Sequence, residues 1–337
     1  MQAYTDLILK HPESPYVPDA LVNIGDYYFD ANDYRNALKL YEQVAQYQDT
    51  PVLAYASYKQ AWCLYNMGDY DQSLSRLISV IKLTRQRHED GIQGAIDLME
   101  EAQNELCYPY AKVGKPAVAI TFFRRYAPNR YLDLASRLAS MYAESTEYQK
   151  SDKLLRTLIR EARKKRKGEP DRSYMVLRFQ RQIVDNAHSR VDKDSTVAEI
   201  KQLIRDFLDL PDSAPADFVS AEKGTIDRLI LDVATGYHSE YKTTKSTETL
   251  EYTQELYAEY LRIFRDAPNA YAISYNNALL LMMTGKYERA AVEFEKLIAS
   301  QPEGKYADEA AERAVIAYLK NLQIENKDVK NEAEEVL

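Results

Sequence analysis

The stretch GDYDQSLSRLISVI, residues 68–81, recurs in altered form as GKYERAAVEFEKLI at residues 285–298 and as NDYRNALKLYEQVA at residues 32–45. Each copy opens with a two-residue turn signal followed by a tyrosine. A small residue follows three positions later, and a large apolar residue follows four positions after that. An apolar stretch with helical spacing precedes each turn, so the repeating unit is predicted to be a helix, a turn and a second helix. Neither helix can bury its apolar side alone, so successive units must stack.

The composition supports an all-α protein. The 337 residues include only 10 Gly and 12 Pro, which is typical of helical repeats rather than of loop-rich enzymes. The longest apolar runs, such as residues 279–283, are too short to span a membrane. The first residues lack the basic and then apolar pattern of a signal peptide. If the protein is exported, we expect its signal to lie upstream of residue 1.

Charge is distributed unevenly along the chain, whose formal net charge is -8. Residues 151–210 contain 15 Lys and Arg against 10 Asp and Glu. Residues 1–50 contain 3 against 8, and residues 211–337 contain 14 against 23. The pattern predicts a basic middle between acidic ends. The acidic total makes nucleic acid an unfavoured partner, because binding it requires an excess of cationic side chains.

The repeat resembles the tetratricopeptide repeat (TPR), whose signature spaces aromatic, Leu-Gly, Tyr, Ala, aromatic and Pro positions over about 34 residues. In the first full unit the signature positions hold Leu21, Ile24, Gly25, Tyr28, Ala37 and Tyr41. In the unit that ends near residue 302 they hold Leu281, Ala290, Phe294 and Pro302. The resemblance implies a right-handed α-solenoid of about eight helix pairs.

The signature is strong at both ends and weak in the middle, which predicts three segments. Residues 1–167 carry N-terminal repeats, residues 168–266 form divergent pairs of longer helices, and residues 267–337 carry a C-terminal repeat and terminal helices. The middle helices are predicted at 171–191, 195–209, 215–242 and 247–266. Thr196 and Glu199 fit a capping box at one helix start.

The first residues align with the second helix of a repeat. Tyr4 and Leu7 stand where Phe294 and Leu297 stand in the later unit. We therefore expect the chain to begin in the middle of a repeat, as a fragment of a longer protein. The exposed half-repeat edge is expected to be mobile or self-associating.

Two connections between helices share an unusual length. HPESPYVPDAL, residues 11–21, and QPEGKYADEAA, residues 301–311, both read Pro-x-x-x-Tyr-x-x-x-Ala. This connection is similar to the repeats of bacterial envelope proteins in the Tol-Pal accessory and outer-membrane-assembly lipoprotein groups. The resemblance implies a periplasmic or envelope-associated scaffold, and a cytoplasmic adaptor is the alternative.

One helix face is the main candidate for a binding site. Tyr55, Tyr58, Trp62 and Tyr65 recur at the spacing of a single helical face, and Tyr108 takes the Trp62 position in the next unit. The TPR resemblance implies that this face of a first helix lines the concave groove. These aromatics would offer a large and rigid contact area to a peptide. The alternative is that they pack against the first helix of the next repeat.

The same face of the first unit is acidic. Asp19, Asp26 and Asp30 hold its concave positions. An acidic strip beside aromatic side chains would suit a basic or Arg-containing peptide. The alternative is a solvated surface without a partner.

A basic run follows a helix near the middle of the chain. It comprises Arg163, Lys164, Lys165, Arg166 and Lys167. The run is a candidate docking patch for an anionic partner. The alternative is structural, because cations are favourable at a helix C-terminus and the run lacks aromatic neighbours for base stacking.

No chemistry is predicted for the cysteines and histidines. Cys63 and Cys107 are expected to be buried free thiols, with a disulfide as the alternative, and the four histidines are too scattered to form a metal site. No catalytic motif is present, and no cofactor is predicted. The leading hypothesis is a non-enzymatic scaffold that binds a protein or peptide segment. The second is a structural segment of a large machine docked permanently to neighbouring subunits, and an enzyme is third.

Overall fold

The computed structural model of the chain describes residues 1–90, 96–164, 172 and 174–335. These residues form α-helices and one short 3-10 turn, without a β-strand among them. The helices are α1 (Gln2–Lys10), α2 (Val17–Asp30), α3 (Tyr34–Val44), α4 (Leu53–Asn66), α5 (Tyr70–Glu89), α6 (Met99–Glu105), α7 (Cys107–Val113), α8 (Ala119–Tyr126), α9 (Tyr131–Glu144), α10 (Tyr148–Ala162), α11 (Met175–Ser189), α12 (Lys193–Leu208), α13 (Ala216–Thr244), α14 (Thr247–Ile263), α15 (Ala270–Met283), α16 (Tyr287–Ser300) and α17 (Ala307–Glu335). The predicted all-α class is confirmed.

The helices divide into two compact units by packing. Unit 1 spans Met1–Phe179 and unit 2 spans Gln180–Leu337. In unit 1 the run from α1 to α5 packs in chain order, each helix against the next, and in unit 2 the run from α13 to α17 does the same. This is the tandem packing expected of a solenoid of helix pairs. The three-segment division predicted from the repeat signature stays a prediction.

The repeat positions build the core of the helix pairs. Tyr41 on α3 and Phe294 on α16, the large residues of the repeat, are fully buried. Burying an apolar side chain of this size contributes about 1.5–3 kcal/mol. The small residue that precedes each of them lets the paired helix approach closely. At Ser73 this contact is direct, because its hydroxyl donates a 2.8 Å hydrogen bond to the carbonyl of Ala61 on α4.

The turns inside the helix pairs share one backbone feature. At six of them, one residue before the second helix has a positive φ. These residues are Asn32, Gly68, Thr146, Val191, Lys245 and Gly285. At the second turn, the N–H that follows Gly68 belongs to Asp69 and donates to the carbonyl of Leu64 at 2.9 Å. This is the bond that closes a Schellman motif at a helix C-terminus.

The divergent middle keeps this turn. Val191, between α11 and α12, has a φ of 59°, and the following N–H of Asp192 donates to the carbonyl of Ala187 at 3.2 Å. A β-branched residue is costly in this conformation. The α11–α12 pair has therefore lost the sequence signature of the repeat but not its turn geometry.

One predicted helix start is wrong. The second middle helix was expected at residue 195 with a capping box from Thr196 and Glu199, but α12 begins at Lys193. Its N-cap is Asp192, whose carboxylate accepts a hydrogen bond from the backbone N–H of Ser195 at 3.0 Å. The hydroxyl of Thr196 donates instead to the carbonyl of Asp192. The turn with a positive φ at Val191 brings Asp192 to the N-cap position of α12.

A proline divides one first helix into two pieces. α6 ends at Glu105 and α7 begins at Cys107, with Leu106 between them. Pro109 has no N–H to bond to the carbonyl of Glu105, so the regular helical ladder is interrupted at this point. No helix in the described part of the chain combines the length and apolarity needed to cross a membrane.

Candidate functional site

A line of side-chain contacts joins the first helices of successive pairs in unit 1. Asp26 on α2 accepts a hydrogen bond from Tyr55 on α4. Trp62 on the same helix contacts Tyr108 on α7, and Tyr108 in turn is bonded to Arg137 on α9. We call this surface the first-helix face. Its members are Asp26, Tyr55, Tyr58, Trp62, Tyr65, Tyr108 and Arg137.

The aromatic residues of the first-helix face form one cluster. The Trp62 ring centroid lies 5.5 Å from that of Tyr65, edge to face, and 5.8 Å from that of Tyr108. Tyr65 also lies 5.2 Å from Tyr70. Edge-to-face pairs of this kind contribute about 0.5–1.5 kcal/mol beyond their buried area. The structure thus brings together Trp62, Tyr65 and Tyr108.

This cluster has features of both roles considered for the aromatic face, which are packing against the next helix pair and binding a partner. Contact between α4 and α7 is the packing role, because Tyr108 belongs to the next helix pair. Tyr58, Trp62, Tyr65 and Tyr108 nevertheless all keep part of their surface exposed. A rigid aromatic surface whose members hold each other in place loses little side-chain entropy when a partner binds.

Tyr55 belongs to a separate group of side chains that are bonded to one another. Its hydroxyl lies 3.2 Å from Asp26, which also accepts a 2.6 Å hydrogen bond from Tyr41. Lys59 lies 3.3 Å from the same carboxylate and 3.7 Å from the centre of the Phe29 ring. Burial and the neighbouring Asp26 raise the pKa of Tyr55 to about 12. The charge of Asp26 is therefore compensated within the protein.

The rest of the predicted acidic strip is exposed. Asp19 and Asp30 both lie at the surface of α2. Asp30 is near enough to Tyr55 that its charge contributes to raising the pKa of that phenol. Asp26 is the predicted aspartate that bonds to α4, through the Tyr55 hydroxyl and the Lys59 ammonium.

A carboxylate beside the aromatic cluster was not identified from the sequence. Glu105, the last residue of α6, lines a narrow cleft with Trp62, Tyr65 and Tyr108. Its Oε2 atom is buried and has no hydrogen-bond partner in the described residues. Burial raises the pKa of this carboxyl, and the nearby Arg137 partly offsets that effect. A buried carboxylate oxygen without a donor is costly to stability.

The charged side chains near the cluster differ in whether they are already bonded to other groups of the protein. Burial raises the pKa of Tyr58, and the negative charges of Glu105 and Glu101 add to the effect. Arg137, the cation of the first-helix face, donates a 2.9 Å hydrogen bond to the Tyr108 hydroxyl and a 3.3 Å hydrogen bond to the carbonyl of Asn104. Within the described part of the chain, neither Glu105 nor Glu101 forms an ion pair with a cationic side chain, and Arg137 acts on Glu105 without bonding to it.

The described part of the basic run lies at a helix terminus. α10 ends at Ala162, and Arg163 is its C-cap residue. The Lys164 ammonium pairs with Glu161 at 2.9 Å. Cations are favourable at this position because of the helix dipole, which supports the structural alternative. The remaining predicted members of the patch, Lys165, Arg166 and Lys167, lie outside the described residues.

The two cysteines are free and buried. Burial raises the pKa of both the Cys63 and the Cys107 thiol to about 12, so neither is a reactive thiolate at neutral pH. The Cys107 sulfur lies 3.4 Å from the carbonyl of Leu134. The prediction of buried free thiols is confirmed.

A larger groove lies in unit 2, along α14, α15 and α16, with a volume of about 1350 Å³. Ser274 and Asn277 on its floor occupy the repeat positions that Leu21 and Ile24 hold in the first unit. Several of its charges are paired, as in the 2.7 Å contact of Lys296 with Glu293. Among the described residues, no group of His, Cys, Asp and Glu is arranged to hold a metal ion.

Comparison with known proteins supports the repeat type. Residues 22–82, which run from within α2 to within α5, match the sequence profile of the tetratricopeptide repeat family. That match includes the first-helix face from Asp26 to Tyr65. A search of curated proteins found no match for the chain.

Solved structures with similarity to the chain are TPR proteins among others. One is the C-terminal part of a TPR repeat-containing protein from Cytophaga hutchinsonii, at 13% identity and a TM-score of 0.31, covering 86% of this chain and 98% of that one. Another is the TPR2AB domain of yeast Sti1 in complex with pHSP90, at 13% identity and a TM-score of 0.34, covering 90% and 100%. A third is Acl4, an assembly chaperone of RpL4, at 13% identity and a TM-score of 0.24, covering 93% and 99%. With scores this low, what those proteins bind says nothing about this chain.

Proposed function

We propose that this chain is a non-enzymatic scaffold that binds a peptide or protein segment through its first-helix face. The observation that carries the proposal is the partly exposed cluster of Trp62, Tyr65 and Tyr108 beside Glu105, whose Oε2 atom has no hydrogen-bond partner among the described residues. Tryptophan and tyrosine are the residues most often found to dominate binding energy at protein interfaces. The TPR resemblance implies that this face of the first helices lines the groove of the solenoid, which supports the proposal.

The chemistry of the face favours a partner with both apolar and cationic side chains. Glu105 and Glu101 supply negative charge next to the aromatic cluster, whereas Arg137 is engaged by Tyr108 and a backbone carbonyl. A Lys or Arg of the partner would meet both a carboxylate and the face of Trp62, where cation–π attraction adds about 0.5–2 kcal/mol. Asp26 contributes less to this selectivity because Lys59 already neutralises it.

The cellular location of the scaffold is a more specific proposal. The Pro-x-x-x-Tyr-x-x-x-Ala connections, through their resemblance to bacterial envelope proteins, support a periplasmic assembly, with a cytoplasmic adaptor as the alternative. A structural segment docked permanently to neighbouring subunits is the second candidate, and the contact of Trp62 with the next helix pair is the observation that favours it. Anionic docking at Arg163–Lys167 stays a separate proposal.

Selection of short random peptides on the full chain would test the binding proposal. Peptides enriched on the wild type would then be titrated against Trp62→Ala and Tyr108→Ala. We expect a loss of at least tenfold in affinity for either variant, because each removes a central aromatic anchor. Tyr16→Ala is the matched control, since Tyr16 is 68% exposed and lies outside the first-helix face.

The same experiment separates the two candidates. Circular dichroism and thermal unfolding establish that each variant is folded. Enriched peptides that bind all folded variants equally would overturn the proposal for this face. Variants that unfold would assign the aromatic cluster to packing, and the conservative Trp62→Phe would then be used to retain the fold while reducing the contact surface.

A further inference from the structure

One position on the floor of the groove in unit 2 differs from its equivalents in the other helix pairs. The six turn residues with a positive φ align the pairs, and each first helix has a residue eight positions before its turn residue. In five pairs that residue is buried, namely Ile24, Gln60, Leu138, Ile183 and Tyr237. In the pair of α15 and α16 it is Asn277, which lines the groove and keeps part of its surface exposed.

Asn277 and its neighbour Ser274 have unused hydrogen-bonding capacity. In the second pair the equivalent Gln60 donates a 2.7 Å hydrogen bond to the carbonyl of Tyr41 on the preceding second helix. Neither Asn277 nor Ser274 makes a side-chain hydrogen bond within the described residues. Positions at which a repeat departs from its own packing pattern without compensation are expected at functional sites. An asparagine amide can both donate to and accept from the main chain of a ligand.

The dimensions of the groove suit a polypeptide segment. Its volume of about 1350 Å³ exceeds the roughly 300–1,000 Å³ of small-molecule sites. Its α14 wall runs from Glu251 to Arg262, which is about 16 Å by the helical rise and matches about five residues in extended conformation. Gln254 holds one end of the groove in place, through hydrogen bonds of 3.3 Å to Thr284 and 3.2 Å to Lys286.

The groove is locally cationic, although the surrounding sequence is acidic. Residues 211–337 contain 14 Lys and Arg against 23 Asp and Glu. Five of those cations and four of those carboxylates line the groove. Two of the four carboxylates are in ion pairs, Glu255 with Lys201 and Glu293 with Lys296. The balance of charge inside the groove is thus the reverse of that in its surroundings.

Three cations of the groove have no anionic partner in the described part of the chain. Arg265 and Arg289 form neither an ion pair nor a side-chain hydrogen bond there, and Lys286 bonds to the uncharged amide of Gln254. The carboxylates of the groove that stay unpaired are Glu251 and Asp266. An arginine fork binds a carboxylate through two parallel hydrogen bonds. Acidic side chains therefore complement the groove.

We propose that this groove is a second binding site, which takes an extended, acidic segment of a partner protein. Asn277 and Ser274 bond to the main chain of the segment, and Arg289 and Arg265 bind its Asp or Glu side chains. The proposal goes beyond the function proposed above, because none of these residues belongs to the first-helix face. A basic, apolar segment binds the first-helix face and an acidic segment binds the groove, so the chain can hold two different partners.

Peptide selection with a subtraction step would test the proposal. Random peptides would be selected on the full wild-type chain, and those that also bind a chain with Ser274→Leu and Asn277→Ile would be discarded. Those two changes introduce the residues that the first unit has at the same positions, Leu21 and Ile24. We expect the remaining peptides to be enriched in Asp and Glu over the starting library.

Titration by fluorescence anisotropy would then assign these peptides to the groove. Arg289→Gln should weaken their binding at least fivefold, whereas Trp62→Ala should leave it unchanged. Arg35→Gln is the matched control, because it removes an exposed cation outside the groove. Raising the salt concentration should weaken binding to the wild type, since salt screens the charge of the exposed Arg289.

Three results would overturn the proposal. The first is a subtraction that leaves no peptide, and the second is a remaining pool without acidic enrichment. The third is binding that Trp62→Ala abolishes and Arg289→Gln does not alter, which would place the peptides on the first-helix face. Circular dichroism would establish that the variants are folded. If the double variant unfolds, Asn277→Ala would replace it, because it removes the amide without adding bulk, and the same loss of binding is expected.

Discussion

Gly25 and Tyr41 share one space at the centre of the first helix pair. A Cβ atom built on Gly25 would lie 2.7 Å from Cε1 of the Tyr41 ring, closer than side chains pack. The ring cannot move aside, because Tyr41 is fully buried and its hydroxyl is bonded to Asp26 at 2.6 Å. The glycine of the repeat signature is therefore required by contact with the second helix.

Gly25→Ala should lower the free energy of unfolding by roughly 1–2 kcal/mol. Overpacking a filled site costs about 1–3 kcal/mol, and the better helix propensity of alanine returns up to about 1 kcal/mol. Gly236→Ala is the matched control, because Gly236 lies in α13 with nothing within 4 Å of its Cβ position. The control should raise stability by up to about 1 kcal/mol. Urea unfolding of both variants would measure the difference, and equal effects would contradict the packing account.

Val191→Gly should stabilise the chain by about 0.5–1 kcal/mol. Val191 holds a φ of 59° and is 79% exposed, so its side chain contributes strain and little packing. Glycine removes the left-handed penalty of about 1–2 kcal/mol, less the entropy that it adds to the unfolded chain. The reciprocal change, Gly68→Val, should destabilise, because Gly68 has a φ of 85° in the equivalent turn. Thermal unfolding would compare the two, and a destabilising Val191→Gly would show that Val191 is held by contacts.

Glu105→Gln should stabilise the fold at neutral pH while weakening the binding of basic peptides. The folded state raises the pKa of this carboxyl by burial. The wild type therefore loses stability as the pH rises from about 4.5 through the folded pKa. The amide removes that loss, and the gain is small because the side chain is partly exposed.

Urea unfolding at pH 7 and at about pH 4 would detect this effect of Glu105. The variant should gain stability at pH 7 only. Glu101→Gln, an exposed change on the same helix, is the stability control. A variant that gains no stability at pH 7 would indicate that the Glu105 carboxylate is satisfied by solvent.

His238 should make the chain less stable in mild acid. Its Nδ1 is joined to the Tyr257 hydroxyl by a 2.8 Å hydrogen bond, and burial, aided by the charge of Lys242, lowers the pKa of the imidazole. The unfolded chain then binds more protons than the folded one below about pH 6.5, so stability falls as the pH drops from there. His238→Asn should reduce this slope, whereas His11→Asn, at an exposed position, should not. The urea midpoint at about pH 7 and pH 5.5 would measure it, and identical slopes in both variants would contradict the assignment.

The local pattern of the repeat predicted most of the fold because it encodes local geometry. Gly68 and Gly285 indicate turns with positive φ. The small and large residues that follow indicate which sides of the two helices pack together. The same turn at Val191 was not readable, because a β-branched residue disfavours a positive φ and so does not signal one. The N-cap at Asp192 was missed for the same reason.

The site was less predictable, because it depends on contacts between helix pairs. The aromatic spacing was visible along α4, and so was the relation of Tyr108 to Trp62. Compensation of Asp26 by Lys59 joins residues far apart in sequence, and no pattern indicates it. Glu105 ends α6 just before the break between α6 and α7, and the sequence did not indicate where that helix ends.

The most direct test of the binding proposal uses Trp62 itself, the only tryptophan of the chain. A peptide selected on the wild type would be titrated while Trp62 emission is recorded, with labelled-peptide anisotropy as an independent measure of binding. We predict that the emission shifts to shorter wavelength with the same affinity that anisotropy reports, because a bound segment removes water from the exposed part of the indole. Peptide binding by anisotropy with no change in Trp62 emission would contradict the proposal and place the binding site on another surface.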